Sequence, residues 1–142
     1  MSDNIDIYTP QSGKSLELPL SEERVAAGFP SPADDYATLK LDLNRELIKN
    51  PASTFYARVS GVSMIDDGIN DGDLLVIDKS LEAHDGCLAV CYIDGEFTLK
   101  RFERHSGYGL LVPANKEYRP IKVTEENDFI IWGIVTYIIK KV

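Results

Sequence analysis

The chain has 142 residues, enough for one compact domain with a hydrophobic core and a tail. Hydrophobic residues make up 44% and charged residues 27%, and the longest apolar run is too short to span a bilayer. The net charge of −8 argues against a protein that binds nucleic acid by neutralising phosphates.

The first forty residues differ in composition from the rest of the chain. They hold four of the seven prolines among Ser, Asp and Glu, with little periodicity. This composition predicts a flexible, extended N-terminal arm over residues 1–40, followed by a folded domain over residues 41–142. Residues 1–10 carry two acids and no apolar stretch, which is not typical of a signal peptide, so we expect a cytoplasmic protein.

The folded domain begins with one predicted helix, over residues 41–50. Asp42 can cap it, several apolar side chains fall on one face, and Pro51 prevents its continuation. From residue 53 onward the pattern favours six or seven short strands, separated by turn signals. The predicted strands cover residues 54–59, 74–78, 87–93, 96–102, 109–112, 118–123 and 129–139.

The turn Asp94-Gly95 lies between two of these strands and is the strongest short signal for a β-hairpin. Together the strands predict a mostly β fold, a curved and mainly antiparallel β domain with one short helix and an N-terminal arm.

Metal and cofactor sites are not predicted. Cys87 and Cys91 lie about 13 Å apart along a regular strand, which is too far for a disulfide, and a zinc site would need further ligands. The acids at 66, 67, 71 and 73 fall in glycine-rich turns without the spacing of a calcium loop. His84 and His105 lie in charged, turn-like surroundings, so a histidine-based triad is not expected either.

Ser63 is the first candidate for chemistry. It lies in the segment SGVSM, residues 60–64, directly after a predicted strand. A serine in such a turn is exposed, and the backbone N–H groups of Ser63 and Met64 are candidate donors to an oxyanion. Serine and glycine in a turn are nevertheless structural in most cases, so this segment alone is weak.

Lys100 is the second candidate. It shares one face of its predicted strand with Thr98 and Phe102. A strand lysine is usually exposed; if Lys100 is drawn into the core, desolvation lowers the pKa of its ammonium group. A neutral lysine amine can take the proton of a serine hydroxyl, which is a variant of triad chemistry.

These segments together resemble the LexA/UmuD family of self-cleaving SOS proteins. The likeness runs from about Val25 to the carboxyl end and is specific as a combined pattern. It rests on SGVSM at 60–64, NDGD at 70–73, DGEFTLKR at 94–101, GFPSPADDY at 28–36, LDLN at 41–44 and SMID at 63–66. In RVAAG at 24–28, Ala precedes the glycine as in the LexA cleavage segment.

The resemblance implies a serine peptidase that cuts itself, with Ser63 as nucleophile, Lys100 as general base and Ala27–Gly28 as the cleaved bond. It also implies stimulation by the RecA–single-stranded DNA filament. The processed protein would be a homodimer and an accessory subunit of an error-prone translesion polymerase with a UmuC-like catalytic subunit, similar to polymerase V.

Three other functions are compatible with parts of the pattern. A LexA-like or prophage repressor needs a DNA-binding module, and the 27 residues before Gly28, broken by two prolines, are too few for a helix-turn-helix. A signal peptidase shares serine–lysine chemistry but needs a membrane anchor. An inert β scaffold would leave the combined motifs unexplained. We therefore expect neither sequence-specific DNA binding nor membrane association.

Overall fold

The computed structural model describes residues 5–10, 17–20 and 39–142, and the side chains of all of these except 17–20, 39 and 40. The chain divides into two compact units. The first joins Met1–Pro10 to Asn50–Val142, and the second is Gln11–Lys49. The predicted division into an arm, residues 1–40, and a peptidase domain, residues 41–142, stays a prediction.

Ten strands, one helix and two 3₁₀ turns make up the described secondary structure. The strands are β1 (Ile5–Tyr8), β2 (Glu17–Leu20), β3 (Leu39–Asp42), β4 (Thr54–Val59), β5 (Leu74–Asp78), β6 (Leu88–Ile93), β7 (Glu96–His105), β8 (Tyr108–Val112), β9 (Ile121–Val123) and β10 (Phe129–Ile139). The helix is α1 (Leu43–Leu47), and the 3₁₀ turns are Pro51–Ser53 and Ile65–Asp67.

The first unit is built on one eight-stranded sheet in the order β1-β4-β5-β10-β6-β7-β8-β9. Every neighbouring pair is antiparallel, and the sheet curls into a half-barrel. The mostly β, antiparallel fold class is thereby confirmed. Its two edge strands are β1 and β9.

The predicted strands of the sheet are found with small shifts at their ends. The predictions for β4, β5 and β10 match in full, and β7 continues to His105 because it pairs with β8 along that length. The predicted strand over 118–123 begins only at Ile121, because the Tyr118 N–H closes a turn onto the Asn115 carbonyl. The Asp94-Gly95 hairpin is confirmed, with φ values of 47° and 89° that suit a tight two-residue turn.

In the second unit the helix is shorter than the predicted range of residues 41–50, so the predicted length is wrong. Residues 41 and 42 belong to β3, which pairs antiparallel with β2, and the helix covers only Leu43–Leu47. Asp42 caps it as predicted, since its Oδ1 accepts from the Asn44 N–H at 3.0 Å. The helix ends early because Ile48 is extended, with φ −114° and ψ 94°.

The core of the first unit consists of two clusters of buried apolar side chains. One contains Ala57, Val59, Met64, Ile69, Leu75, Ile77, Leu88, Val90 and Leu99. The other contains Cys87, Ala89, Cys91, Phe102, Leu111, Val123 and Ile134. Residues of β6 contribute to both clusters, which explains the nearly continuous apolar sequence of that strand. Among the described residues, no helix is long and apolar enough to cross a membrane.

Candidate active site

Ser63 lies in the turn that follows β4, and the turn is shaped by a glycine. Gly61 has φ 107°, a conformation that side chains with a Cβ rarely adopt. Its N–H donates to Oδ1 of Asp71 at 3.0 Å, which holds the start of the turn against the loop before β5. Contrary to the expectation of an exposed serine, Ser63 is only 1% exposed. The Ser63 side chain is therefore shielded from solvent.

A second segment, residues 114 and 115 after β8, supports the same turn from another side. The Asn115 side-chain amide donates to the Val62 carbonyl at 2.8 Å, immediately before Ser63. The Ala114 N–H donates to the Met64 sulfur at 3.3 Å, and the Ala114 carbonyl accepts from the Asp66 N–H at 2.7 Å. Ser63 is thus flanked by fixed backbone on both sides.

Lys100 lies in the middle of β7 and is buried, with 5% of its surface exposed. Its Nζ donates to Ser63 Oγ at 3.0 Å, to Thr98 Oγ1 at 2.7 Å and to the Leu99 carbonyl at 3.1 Å. The fold therefore brings Ser63 and Lys100, 37 positions apart in the chain, into direct hydrogen-bond contact.

This pair has the geometry that proton transfer between a hydroxyl and an amine requires. The heavy-atom distance of 3.0 Å is within hydrogen-bond reach, and both side chains are excluded from bulk water. Burial in a low-dielectric environment disfavours the charged form of an amine, and the neutral form is the one that accepts a proton. This arrangement is compatible with the activation of a serine hydroxyl by an amine.

Two of these supporting residues were not assigned a role from the sequence. Thr98 shares a strand face with Lys100, and this alternation was the available signal for its contact with the amine. No sequence pattern indicated a role for Asn115, because its contact with the Val62 carbonyl joins two loops that are 53 residues apart in the chain.

The remaining sequence candidates have different outcomes. The predicted cleavage bond Ala27–Gly28 lies outside the described residues. Met64 is 2% exposed and adjoins Ser63, and the use of the Ser63 and Met64 N–H groups for an oxyanion stays a prediction. The part of the chain that the structure describes holds no group of three or more His, Cys, Asp or Glu side chains placed to bind a metal ion.

The two cysteines are free and buried. Burial, together with the charge interaction with Cys87, raises the pKa of the Cys91 thiol to about 12, although Lys100 acts in the opposite direction. At neutral pH the Cys91 side chain is therefore a protonated, packed thiol rather than a nucleophile.

Comparison with known proteins connects this geometry to one family. The model of the Peptidase S24-like family matches residues 19–136. The chain is 38% identical to Protein MucA of Salmonella typhimurium over 94% of its own length and 92% of the relative. It is 45% identical to Protein SamA of Salmonella typhimurium over 87% of its own length and 85% of the relative. It is also 42% identical to LexA repressor 1 of Xanthomonas oryzae pv. oryzae, over 89% of this chain and 62% of that protein.

Proposed function

We propose that this chain, which belongs to the Peptidase S24-like family, is a peptidase that cuts its own Ala27–Gly28 bond with Ser63 as nucleophile and Lys100 as general base. The observation that carries the proposal is the buried hydrogen bond between Lys100 Nζ and Ser63 Oγ at 3.0 Å. Its surroundings support it, because Thr98 and Leu99 orient the amine and Asn115 orients the peptide before the serine.

The chemistry follows from the two side chains. The neutral Lys100 amine takes the Ser63 proton, and the Ser63 oxygen attacks the Ala27 carbonyl carbon. The resulting oxyanion is held by the backbone N–H groups of Ser63 and Met64. The Lys100 ammonium then gives its proton to the Gly28 nitrogen as the peptide bond breaks, which leaves Ala27 as an ester on Ser63. The neutral Lys100 then takes a proton from water, and the resulting hydroxide attacks the ester carbon. The bond from that carbon to Ser63 Oγ breaks, Lys100 returns the proton to Ser63 Oγ, and Ala27 leaves with a free carboxylate.

The substrate is tethered, so it needs little intrinsic affinity for the site. A covalent connection supplies an effective concentration that reaches roughly the millimolar range. Small residues on both sides of the bond suit a narrow site, and an extended substrate would pair in a strand-like manner. If the docked state is a minor population, cleavage is slow until a partner favours that state. We propose that this partner is the RecA–single-stranded DNA filament.

The cellular role that we propose is in SOS mutagenesis in the cytoplasm. The chain covers 92% of MucA and 85% of SamA, so the likeness extends over nearly their whole lengths. After cleavage, the processed homodimer would act as an accessory subunit of a translesion polymerase with a UmuC-like catalytic subunit.

A repressor is the second candidate function, because LexA repressor 1 is 42% identical to this chain. The match covers only 62% of that repressor, against 92% of MucA, which favours the first candidate. Gel-shift titration of the intact protein with double-stranded DNA from its own upstream region discriminates them. Sequence-specific binding that is lost on cleavage would establish the repressor.

The proposed stimulation is tested with purified components. The protein is incubated with RecA, single-stranded DNA and a nucleotide, and its intact mass is followed with time. We expect loss of residues 1–27 in the wild type and no loss in Ser63→Ala or Lys100→Ala. Omission of the single-stranded DNA is the control, and equal cleavage without it would contradict the role of the filament.

A further inference from the structure

Strand β1 occupies one edge of the main sheet. Ile5, Asp6, Ile7 and Tyr8 pair antiparallel with Val59, Arg58, Ala57 and Tyr56 of β4, in that order. Ile5 and Ile7 are half-buried and pack against the core cluster that contains Ala57, Val59 and Met64. Asp6 and Tyr8 are exposed on the opposite face. The strand therefore covers both the backbone edge of β4 and part of the core.

The direction of the β4 backbone shows which amides β1 protects. The Val59 N–H donates to the Asp73 carbonyl at 2.9 Å, and the Val59 carbonyl accepts from the Gly72 N–H at 2.7 Å. Val59 thus directs its backbone groups away from β1. Because backbone direction alternates along a strand, Tyr56 and Arg58 direct theirs toward β1, opposite Tyr8 and Asp6.

We propose that β1 is a removable cover, and that self-cleavage turns β4 into an open sheet edge that accepts a strand from another protein. This inference rests on the proposed function, because β1 precedes the Ala27–Gly28 bond. Cutting that bond leaves β1 without a covalent link to β4. The surface that opens consists of the Tyr56 and Arg58 backbone and the apolar side chains of Ala57 and Val59.

The cut releases β1 because the strand is short. Four residues with two half-buried isoleucines bind weakly on their own and are held by the high effective concentration that the chain connection supplies. The cut also separates β2 from β3, and an isolated two-stranded pair is marginal in water. Neither pairing is therefore expected to retain the fragment at micromolar concentration.

The strand now seated on β4 shows what the opened edge would accept. Its occupant is an extended segment of a partner protein with apolar side chains at positions i and i+2 and polar or aromatic side chains between them. Main-chain hydrogen bonds to Tyr56 and Arg58 would give affinity, and the contacts of Ile5 and Ile7 would give the sequence preference.

Amide hydrogen exchange by NMR tests the cover. In the intact Ser63→Ala chain, the Tyr56 and Arg58 amides should exchange slowly. Adding Ile5→Asp and Ile7→Asp should speed their exchange at least about 10-fold, and self-cleavage of the wild type should have the same effect. The Val59 amide, which donates to the Asp73 carbonyl on the side away from β1, is the internal control, and Asp6→Ser is the matched exposed substitution.

The outcomes separate the two proposals. If the wild type does not cut itself, the proposed function fails, and the substituted Ser63→Ala chain still answers whether β1 covers β4. Slow exchange of Tyr56 and Arg58 in that chain, or in the cut protein, would overturn the inference. So would protection that grows with the concentration of the cut protein alone, because a second copy would then fill the edge.

A synthetic peptide of residues 1–10 is the probe for the opened edge. At millimolar concentration it should shift the NMR signals of β4 in the cut protein and leave those of the intact Ser63→Ala chain unchanged. The same peptide with Ile5→Asp and Ile7→Asp should have no effect. Equal shifts in intact and cut protein, or none in either, would contradict the proposal.

Discussion

Lys100 is a buried amine, and one of its neighbours is the hydroxyl of Ser63, which we propose that it deprotonates. It lies 3.0 Å from Ser63 Oγ and is held by Thr98 and the Leu99 carbonyl. A protonated lysine cannot act as a base, and therefore the fraction of neutral Lys100 limits the proposed reaction. In the proposed reaction, the pH dependence of cleavage would therefore come from this single side chain.

The rate of unassisted self-cleavage should rise with pH and level off once Lys100 is neutral. The reason is that deprotonation creates the base, so activity increases through the pKa of Lys100. The measurement is the first-order rate of mass loss between pH 6 and pH 10. Lys116→Ala, an exposed lysine substitution, should keep the same profile. A rate that is flat over this range would exclude Lys100 as the titrating base.

Asp78 is a buried carboxylate with a structural role at the end of β5. It accepts from the Asn50 amide at 2.7 Å, from the Ser53 hydroxyl at 2.8 Å and from both the hydroxyl and the N–H of Ser80. Burial alone would raise the pKa of this carboxyl, but the hydrogen bonds from Asn50, Ser80 and Ser53 outweigh it and lower the pKa to about 2.

Asp78 should therefore stabilise the protein at neutral pH and lose that effect in acid. Since its pKa is below the ordinary 3.8, its contribution is complete above pH 3.8 and is lost as pH falls toward 2. Asp78→Asn should lower the free energy of unfolding at pH 7 by about 1–2 kcal/mol. It should also flatten the acid limb measured by urea unfolding. An unchanged acid limb would contradict this assignment.

At the scale of elements, the position of the segment that links β4 to the 3₁₀ turn Ile65–Asp67 depends on hydrogen bonds from distant loops. Asp71 holds Gly61, and Asn115 holds the Val62 carbonyl. These contacts fix the backbone on the amino side of Ser63, so they position the proposed nucleophile without touching the reacting atoms.

Asn115→Ala should lower the rate of self-cleavage about 10-fold, since small misplacements of a reacting group are costly. The pH at which the rate is half-maximal should not move, because Lys100 keeps its own hydrogen bonds. Lys116→Ala in the same loop is the control for general effects. A cleavage rate equal to that of the wild type would show that the Asn115 contact does not position Ser63.

Gly133 marks the point where the register of β10 against β6 shifts. A Cβ at this position would collide with the Cγ2 atom of Ile77 on the neighbouring strand β5. Gly133→Ala should therefore lower the free energy of unfolding by about 2 kcal/mol because of overpacking. Ile130→Thr, an exposed substitution on the same strand, should change it little. Urea unfolding measures both, and equal stability of the two variants would contradict the collision.

The sequence was most informative where local signals agree with the fold. Alternation and the Asp94-Gly95 turn located β4 to β8 and β10 to within a few residues, because these strands carry their own apolar pattern and turns. The sequence did not predict β1, β2 or β3, because a strand of four residues carries too short a pattern of its own. Strand β1, for example, is stabilised by pairing with β4, which lies more than forty positions away. The helix was overextended because β3 takes the two residues before it.

In the candidate site, too, local sequence signals indicated some features, while others depend on contacts between distant parts of the chain. Ser63 and Lys100 were individually ambiguous, and the surrounding segments singled them out by resemblance. Their contact, and the contacts from Thr98 and Asn115, depend on how β7 and the loop after β8 approach the turn after β4. Such distances between sequence-distant atoms are set by packing and register, which no local pattern encodes.

At the scale of the whole molecule, the proposed peptidase acts once, on its own N-terminal segment. Residues 1–27 include β1, which covers the edge of β4, and so a single cut would change both the covalent chain and the exposed surface. The MucA and SamA proteins match this chain over most of their lengths.

The most direct test of this account is the intact mass of the purified protein after incubation at pH 10 without any partner. The account predicts two products, residues 1–27 and 28–142, from the wild type. It predicts an unchanged chain from Ser63→Ala and from Lys100→Ala, each shown to be folded by circular dichroism. Cleavage of the Ser63→Ala chain at Ala27–Gly28, or a wild-type product cut at another bond, would contradict it.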